Sequence, residues 1–337
     1  MSMLTRRVSF GSSLLLVAAL ALGAGCDKGN KAAGGGGKGM AGASAVAPNG
    51  GLSRALSMMP ANSEMVIAVD FKQIRGSGLW KKYESQIMGK AGQGLAEFKA
   101  VCGWDPIEKA SGALAAGRGR EMEELTVFVR GFDKPSVTEC IKKAADKYKA
   151  EGDQSTATID GDYIELAKPG KDTVRFIFAD DQTILFQRVP GSDEMADKAA
   201  LQKVLAAKDG EGLMSSATFS SLIDATDTGA AAWFVMNGNS AIMQNAGQMP
   251  FKFKAIFGSV KVDDGVNGIL KMRMEEEKDA SGVATMAEMA MGQVAGTPYA
   301  DFAKGVKISS KGKDLNVAFK FTAAQLDTLA AQAGTMF

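Results

Sequence analysis

The sequence predicts an α+β protein built as two related halves, each a mainly antiparallel sheet with helices on one face. Three observations carry this prediction. Short runs of strand formers with period-two alternation, such as Met65 to Phe71 (MVIAVDF), recur along the chain, and several are joined in pairs by tight Asp or Gly turns. One segment is clearly helical, because Val137, Cys140, Ile141, Ala144, Ala145 and Tyr148 fall on a single face at helical spacing. The order strand, helix, hairpin, helix, hairpin then appears twice, although residue identity between the two series is slight.

The packed body is expected to start near Pro60, with its first strand over Met65 to Phe71. Ser77 followed by Leu79, Trp80, Tyr83 and Ile87 opens a helix, and Leu95, Phe98 and Cys102 keep helical spacing until Gly103 caps it. Leu125 to Arg130 reads as a strand. Ser136 and Glu139 have the spacing of a capping box and open the clearest helix, whose outer face carries Lys142, Lys143 and Lys147. Hairpins are predicted over Thr156 to Leu166 and Val174 to Val189, the second turning at Asp180-Asp181. Short helices follow near Ala199 to Lys208 and Phe219 to Ala225. The second series opens with a strand from Ala230 and a helical stretch near Ser240 to Met249. A hairpin from Ala255 to Met274, turning at Asp263-Asp264-Gly265, precedes a long helix expected from about Ser281 to Lys304. The chain closes with a hairpin over Val306 to Phe321, turning at Gly312, and a helix over Ala323 to Ala333.

Upstream of the body the sequence reads as an address. Arg6 and Arg7 form a positive region, Leu14 to Leu22 an apolar core, and Gly23-Ala24-Gly25 a small-residue site directly before Cys26. The apolar run is shorter than the ~20 residues that span a bilayer. This arrangement resembles the lipobox of bacterial lipoproteins. The resemblance implies removal of residues 1–25 as a signal peptide, diacylglycerol on the Cys26 sulfur, and N-acylation as well. One departure is that the family prefers Leu three residues before the cysteine, where this chain has Gly23, with Leu22 one place earlier. Arg6-Arg7 is also similar to a twin-arginine signal, but Phe10 stands too far along and no Lys follows, so general secretion is expected. Asp27 implies inner-membrane retention under the enterobacterial rule, and the choice of membrane stays open. Residues 26–54 are read as the lipidated cysteine and a flexible Gly/Ala-rich linker with a typical reach of about 25–30 Å. Lys38, inside the Gly34 to Gly39 run, has neither a following Ser or Thr nor a preceding strand, so no phosphate loop is expected there. The two halves are then assigned to residues 55–228 and 229–337. The MVIAVDF strand followed by Gly78-Leu79-Trp80 resembles uncharacterised exported proteins of myxobacteria-like organisms; the resemblance covers much of the body and implies no activity.

Composition excludes several function classes. Lys and Arg total 39 against 38 Asp and Glu, so the chain lacks the basic excess that releases counterions from nucleic acid, and no nucleic-acid partner is expected. Without residues 1–25 the balance falls to about −1, which argues against electrostatic capture of anionic ligands. The absence of histidine removes Ser-His-Asp and Cys-His catalysis and imidazole metal ligands. The three cysteines form no C-x-x-C pair, so neither a zinc ribbon nor an iron–sulfur site is expected, and no cofactor is assigned. Cys102 and Cys140 lie on apolar helix faces expected on the same side of the sheet. Two outcomes are open for them: a bridge in an oxidising compartment, or two buried thiols behaving as small hydrophobes.

The remaining candidates for chemistry each have a structural explanation. Asp180-Asp181 and Asp263-Asp264 are paired carboxylates of the kind hydrolases use, but both pairs sit where hairpins turn, and Asp favours turns. Glu275-Glu276-Glu277 with Asp279 lacks the D-x-D-x-D-G pattern of a calcium loop. Ser310 and Lys313 have the S-x-x-K spacing of serine acyltransferases but fall in a hairpin turn instead of a helix start. Met272 and Met274 alternate on a strand with Leu270, and Met286, Met289 and Met291 crowd one helix, where core packing is expected before thioether binding of Cu(I). Trp80, Trp104 and Trp233 are assigned to the core. The expected molecule is a membrane-tethered extracytoplasmic lipoprotein in the cell envelope, facing the periplasm or exterior, with a non-catalytic binding or scaffolding body. Its expected partners are the membrane, through Cys26, and an envelope protein or apolar ligand. The alternatives are a carboxylate-based envelope hydrolase and a carrier of a hydrophobic ligand.

Overall fold

The computed structural model describes residues 47, 49–119, 122–189, 194–238, 240, 243, 253–294, 297 and 299–333. Cys26, the leader and most of the expected Ser240 to Met249 helix lie outside the described residues.

Among the described residues twelve strands form one antiparallel sheet. They are β1 (Met65–Val69), β2 (Gly112–Arg118), β3 (Glu124–Arg130), β4 (Thr156–Asp160), β5 (Tyr163–Ala167), β6 (Val174–Asp180), β7 (Thr183–Arg188), β8 (Ala232–Asn237), β9 (Phe253–Val262), β10 (Gly265–Met274), β11 (Val306–Lys311) and β12 (Asp314–Thr322). Their order across the sheet is β11-β12-β10-β9-β8-β1-β2-β3-β7-β6-β5-β4. The two sheets expected from the sequence are therefore continuous, joined where β1 pairs with β8 from Met65 opposite Met236 to Val69 opposite Ala232. Outward from this seam the connectivity is the same on both sides: β1-β2-β3-β7-β6 on one, β8-β9-β10-β12-β11 on the other. The β4–β5 hairpin is an addition on the first side.

Among the described residues the α-helices are α1 (Gly51–Ser57), α2 (Phe71–Gly76), α3 (Gly78–Cys102), α4 (Pro106–Lys109), α5 (Lys134–Ala150), α6 (Lys198–Leu205), α7 (Ala217–Asp224), α8 (Glu277–Gln293), α9 (Ala300–Ala303) and α10 (Ala323–Ala333). Helix α3 starts where the Ser77 hydroxyl accepts from the Trp80 N–H and stops at Gly103, whose φ of 77° is the left-handed cap that glycine adopts without strain. Helix α5 is capped by Asp133 and not by the expected Ser136–Glu139 box: Asp133 accepts from the Ser136 N–H, and Pro135 stands in the first turn, where its missing N–H costs nothing. The helix expected from about Ser281 to Lys304 starts earlier and is divided into α8 and α9, with Pro298 in the intervening sequence, a residue that interrupts helical bonding.

Period-two alternation distributes the strands' apolar residues over both faces. On the back face Val66, Leu114, Phe128, Leu185, Trp233 and Phe257 pack beneath Leu52 and Leu56 of α1, Leu201 of α6 and Phe219 and Leu222 of α7. On the front face of the first half Val127, Val129, Phe176 and Ile184 meet Val137 and Ile141 of α5. Helices thus cover both faces of the first half instead of one. The strands here are apolar on both faces, Phe128 and Leu185 on the back and Val127, Val129 and Ile184 on the front, and β2 between the two helix layers is buried from Gly112 to Gly117. On the front of the second half Met274 and Leu315 pack under Ala280 and Ala284 of α8. The boundary expected at residue 54 also moves, because Ala47, Leu52, Ala55 and Leu56 belong to the back core. The Asn49 amide N–H donates to Asp180 at 2.6 Å, fixing this entry segment to the β6–β7 turn.

Candidate functional site

The carboxylates singled out in the sequence do not converge. Asp180 accepts from the backbone N–H of Asn49 and Gln182 and pairs with Arg130 at 3.1 Å. Burial alone would raise its carboxyl, but these N–H donors, Thr183 and the Arg130 charge outweigh burial and hold it below the usual carboxylate range. It is therefore an ionised structural anchor, unsuited to donating a proton near neutrality. Asp263 sits in the β9–β10 turn, where its carbonyl accepts from the Leu79 N–H at 2.9 Å and docks that turn on the start of α3. Glu275 pairs with Lys254 and Glu276 with Lys278, while Glu277 and Asp279 lie in the first turn of α8, where carboxylates complement the helix dipole. Ser310 lies on β11 and Lys313 in the turn beyond it, so neither stands at a helix start. Among the described residues no three His, Cys, Asp or Glu side chains are grouped to hold a metal ion.

Cys102 and Cys140 are brought together. Their Cα atoms are 4.5 Å apart and their sulfurs are joined as a disulfide, tying the last residue of α3 to α5. Phe98, Val101 and Trp104 pack around the bridge, and Trp104 meets Phe98 edge-on at 4.8 Å between ring centres. Trp233 is in the back core, as the sequence implied.

The methionines divide. Met274 is fully buried and Met272 packs beside it, whereas Met286 and Met289 on α8 are 46% and 60% exposed and take no part in the core. Helical periodicity alone does not tell a covered face from an uncovered one. Met291, five residues beyond Met286 and turned to another side of the helix, contributes with Ala303, Val306 and Ile308 to a cavity of about 370 Å³ between α8, α9 and β11, where Glu288 and Lys304 supply charged groups. This volume lies within the range of small-molecule pockets. Its lining is mainly apolar. No sequence motif marked it, since its residues come from three separate elements and become neighbours only when α8 packs on β11. Among the described residues no helix is long and apolar enough to cross a membrane.

No family model matches this chain, and no curated protein matches it. Among solved structures it is similar to crystal form I of TP0453, with a TM-score of 0.50 and 10% identity, covering 82% of this chain and 96% of that one. At that identity the likeness concerns the α+β fold alone.

Proposed function

We propose that the protein is an envelope lipoprotein, tethered through Cys26 and exposing a binding or scaffolding body on the periplasmic or outer side of a membrane. The observation that carries the reading is the division of its three cysteines. Cys102 and Cys140 are spent on a bridge inside the body, and bridges of that kind persist in oxidising compartments. The remaining cysteine, Cys26, stands directly behind the leader's small residues. Two acyl chains hold a protein at a bilayer where one gives only marginal attachment. The carboxylates that a hydrolase would need are engaged at turns and in ion pairs, which supports a body that binds over one that catalyses.

The test is metabolic labelling with a clickable palmitate analogue. The chain is expected to take up label, and Cys26→Ser to abolish it and release or stall the precursor. Equal labelling of Cys26→Ser would overturn the tether. A second reading, carriage of an apolar ligand, is favoured by the cavity between α8, α9 and β11. A fluorescent fatty-acid probe should then bind the chain and lose at least about tenfold affinity in Ile308→Glu, which places a charge in the apolar lining; unchanged binding would remove that reading.

A further inference from the structure

We propose that the back face of strands β9, β10, β12 and β11 is a docking surface for an anionic phospholipid bilayer. The pairing register, followed outward from Val66 and Val235, places Lys261, Lys271, Arg273, Lys320, Lys307 and Lys311 on this one face. The only acidic residue in the four strands is Asp314, on the same face. Arg273 engages both its oxygens, at 2.8 and 3.0 Å. Asp227, beyond α7, pairs with Lys261 at 2.8 Å, and the Lys271 ammonium donates to the Ala225 carbonyl at 3.0 Å. Lys307, Lys311 and Lys320 form no ion pair among the described residues, and Lys307 and Lys311 are exposed.

A solvated sheet face ordinarily intersperses both signs of charge. Here a chain with a formal charge of +1 has gathered six cations and one acid on one side of four strands. Counting charges along the sequence hides this sorting, because alternate positions on these strands carry apolar residues destined for the front face. The surface is broad, about 15 Å across four strands at ~4.8 Å each. Ala255 and Phe257 of β9 lie on this face too but are fully covered, with Lys271 and Arg273 over the Phe257 ring, so its accessible apolar side chains are limited to the half-buried Ile269 and Ala318 and it offers no accessible aromatic or aliphatic anchor of the kind around which protein interfaces concentrate their energy. An array of cations without an anchor suits a plane of phosphate headgroups, to which each lysine adds favourable energy near the surface. The choice of a bilayer over another polyanion rests on the tethering reading, since the linker's reach would keep the body beside a membrane.

The experiment uses the full chain carrying Cys26→Ser, so that lipidation plays no part and its result is separable from the labelling test. Sedimentation is measured with vesicles of phosphatidylcholine alone and with about 30% phosphatidylglycerol added. Partitioning should rise at least about tenfold with the anionic lipid and fall back at high salt. Lys307→Glu/Lys311→Glu/Lys320→Glu should lose that increment while keeping the parental thermal midpoint. The same positions changed to Gln serve if the Glu variant folds poorly, with a smaller loss expected. Lys81→Glu/Lys142→Glu/Lys171→Glu, which alters net charge equally at other exposed sites, should keep the increment. Equal partitioning onto both vesicles, or equal loss in the two Glu variants, would overturn the proposal. So would tighter binding to soluble polyglutamate than to the anionic vesicles at matched charge, which would make the partner an acidic polymer.

Discussion

Asp133 shows how much one side chain decides and how local the signal for it is. It accepts from the Ser136 N–H at 2.9 Å and pairs with Lys109 at 2.8 Å. Burial pushes its carboxyl up, but the hydrogen bonds from Lys109 and Ser136 outweigh burial and bring it down to about 2. Because the folded value lies below the unfolded one, the stabilisation is complete above the ordinary Asp range and is lost as pH falls toward 2. Asp133→Ala should therefore cost about 1 kcal/mol at neutral pH, and the difference from the parent should shrink in urea titrations at progressively lower pH; a constant difference would exclude the charged cap. The sequence showed that a helix begins here but favoured Ser136 with Glu139, since both Asp133 and Ser136 are good caps. Pro135 was the available discriminator, being suited to the first turn of a helix that starts at Lys134. At the carboxylate pairs, by contrast, turn chemistry was readable in advance, because Asp bonding to nearby backbone is local in the chain.

At the scale of elements, α3 and α5 are joined by their disulfide and, nearer the end of α5, by the Glu97 carboxylate, which accepts from Lys147 at 3.4 Å and from the Tyr148 hydroxyl at 3.2 Å. The bridge spans 38 residues, for which chain entropy gives about 4 kcal/mol of stabilisation. Cys102→Ala/Cys140→Ala should lower stability toward that amount in urea denaturation. Alkylation of the unreduced, unfolded protein should modify neither Cys102 nor Cys140, and modification of both would show that the bridge is absent in the purified protein. Most elements were legible because capped helices and Asp/Gly hairpins carry local signals. Strand β2 was not: Gly-Ala-Leu-Ala-Ala-Gly-Arg has weak strand propensity and little alternation. It is a strand because β1 and β3 pair with it on both sides and bury it. The start of the body was also misplaced, since α1 follows a glycine-rich run and shows only Leu52, Ala55 and Leu56 as apolar signal.

For the whole molecule, α1 decides where the folding unit begins. A chain starting at Ala47 should unfold cooperatively. One starting at Pro60 lacks Leu52 and Leu56, both essentially inaccessible to solvent, and at roughly 2–5 kcal/mol for each buried leucine removed it should show a much lower thermal midpoint or none. Equal midpoints would remove α1 from the core. The α+β class was readable from element order, but the single sheet was not, because pairing of β1 with β8 has no local signature. The matching connectivity on either side of that pairing supports, as a proposal, the duplication suggested by element order. The pairing also sets a timetable for biosynthesis. Val69 leaves the ribosome long before its partner Ala232, and at about 5–20 residues per second the intervening ~160 residues take roughly 8–30 s to make. Throughout that interval β1 has one unmatched hydrogen-bonding edge at what will become the middle of the sheet, a template for wrong strands. The nascent first half is therefore open to mispairing along β1 until β8 arrives.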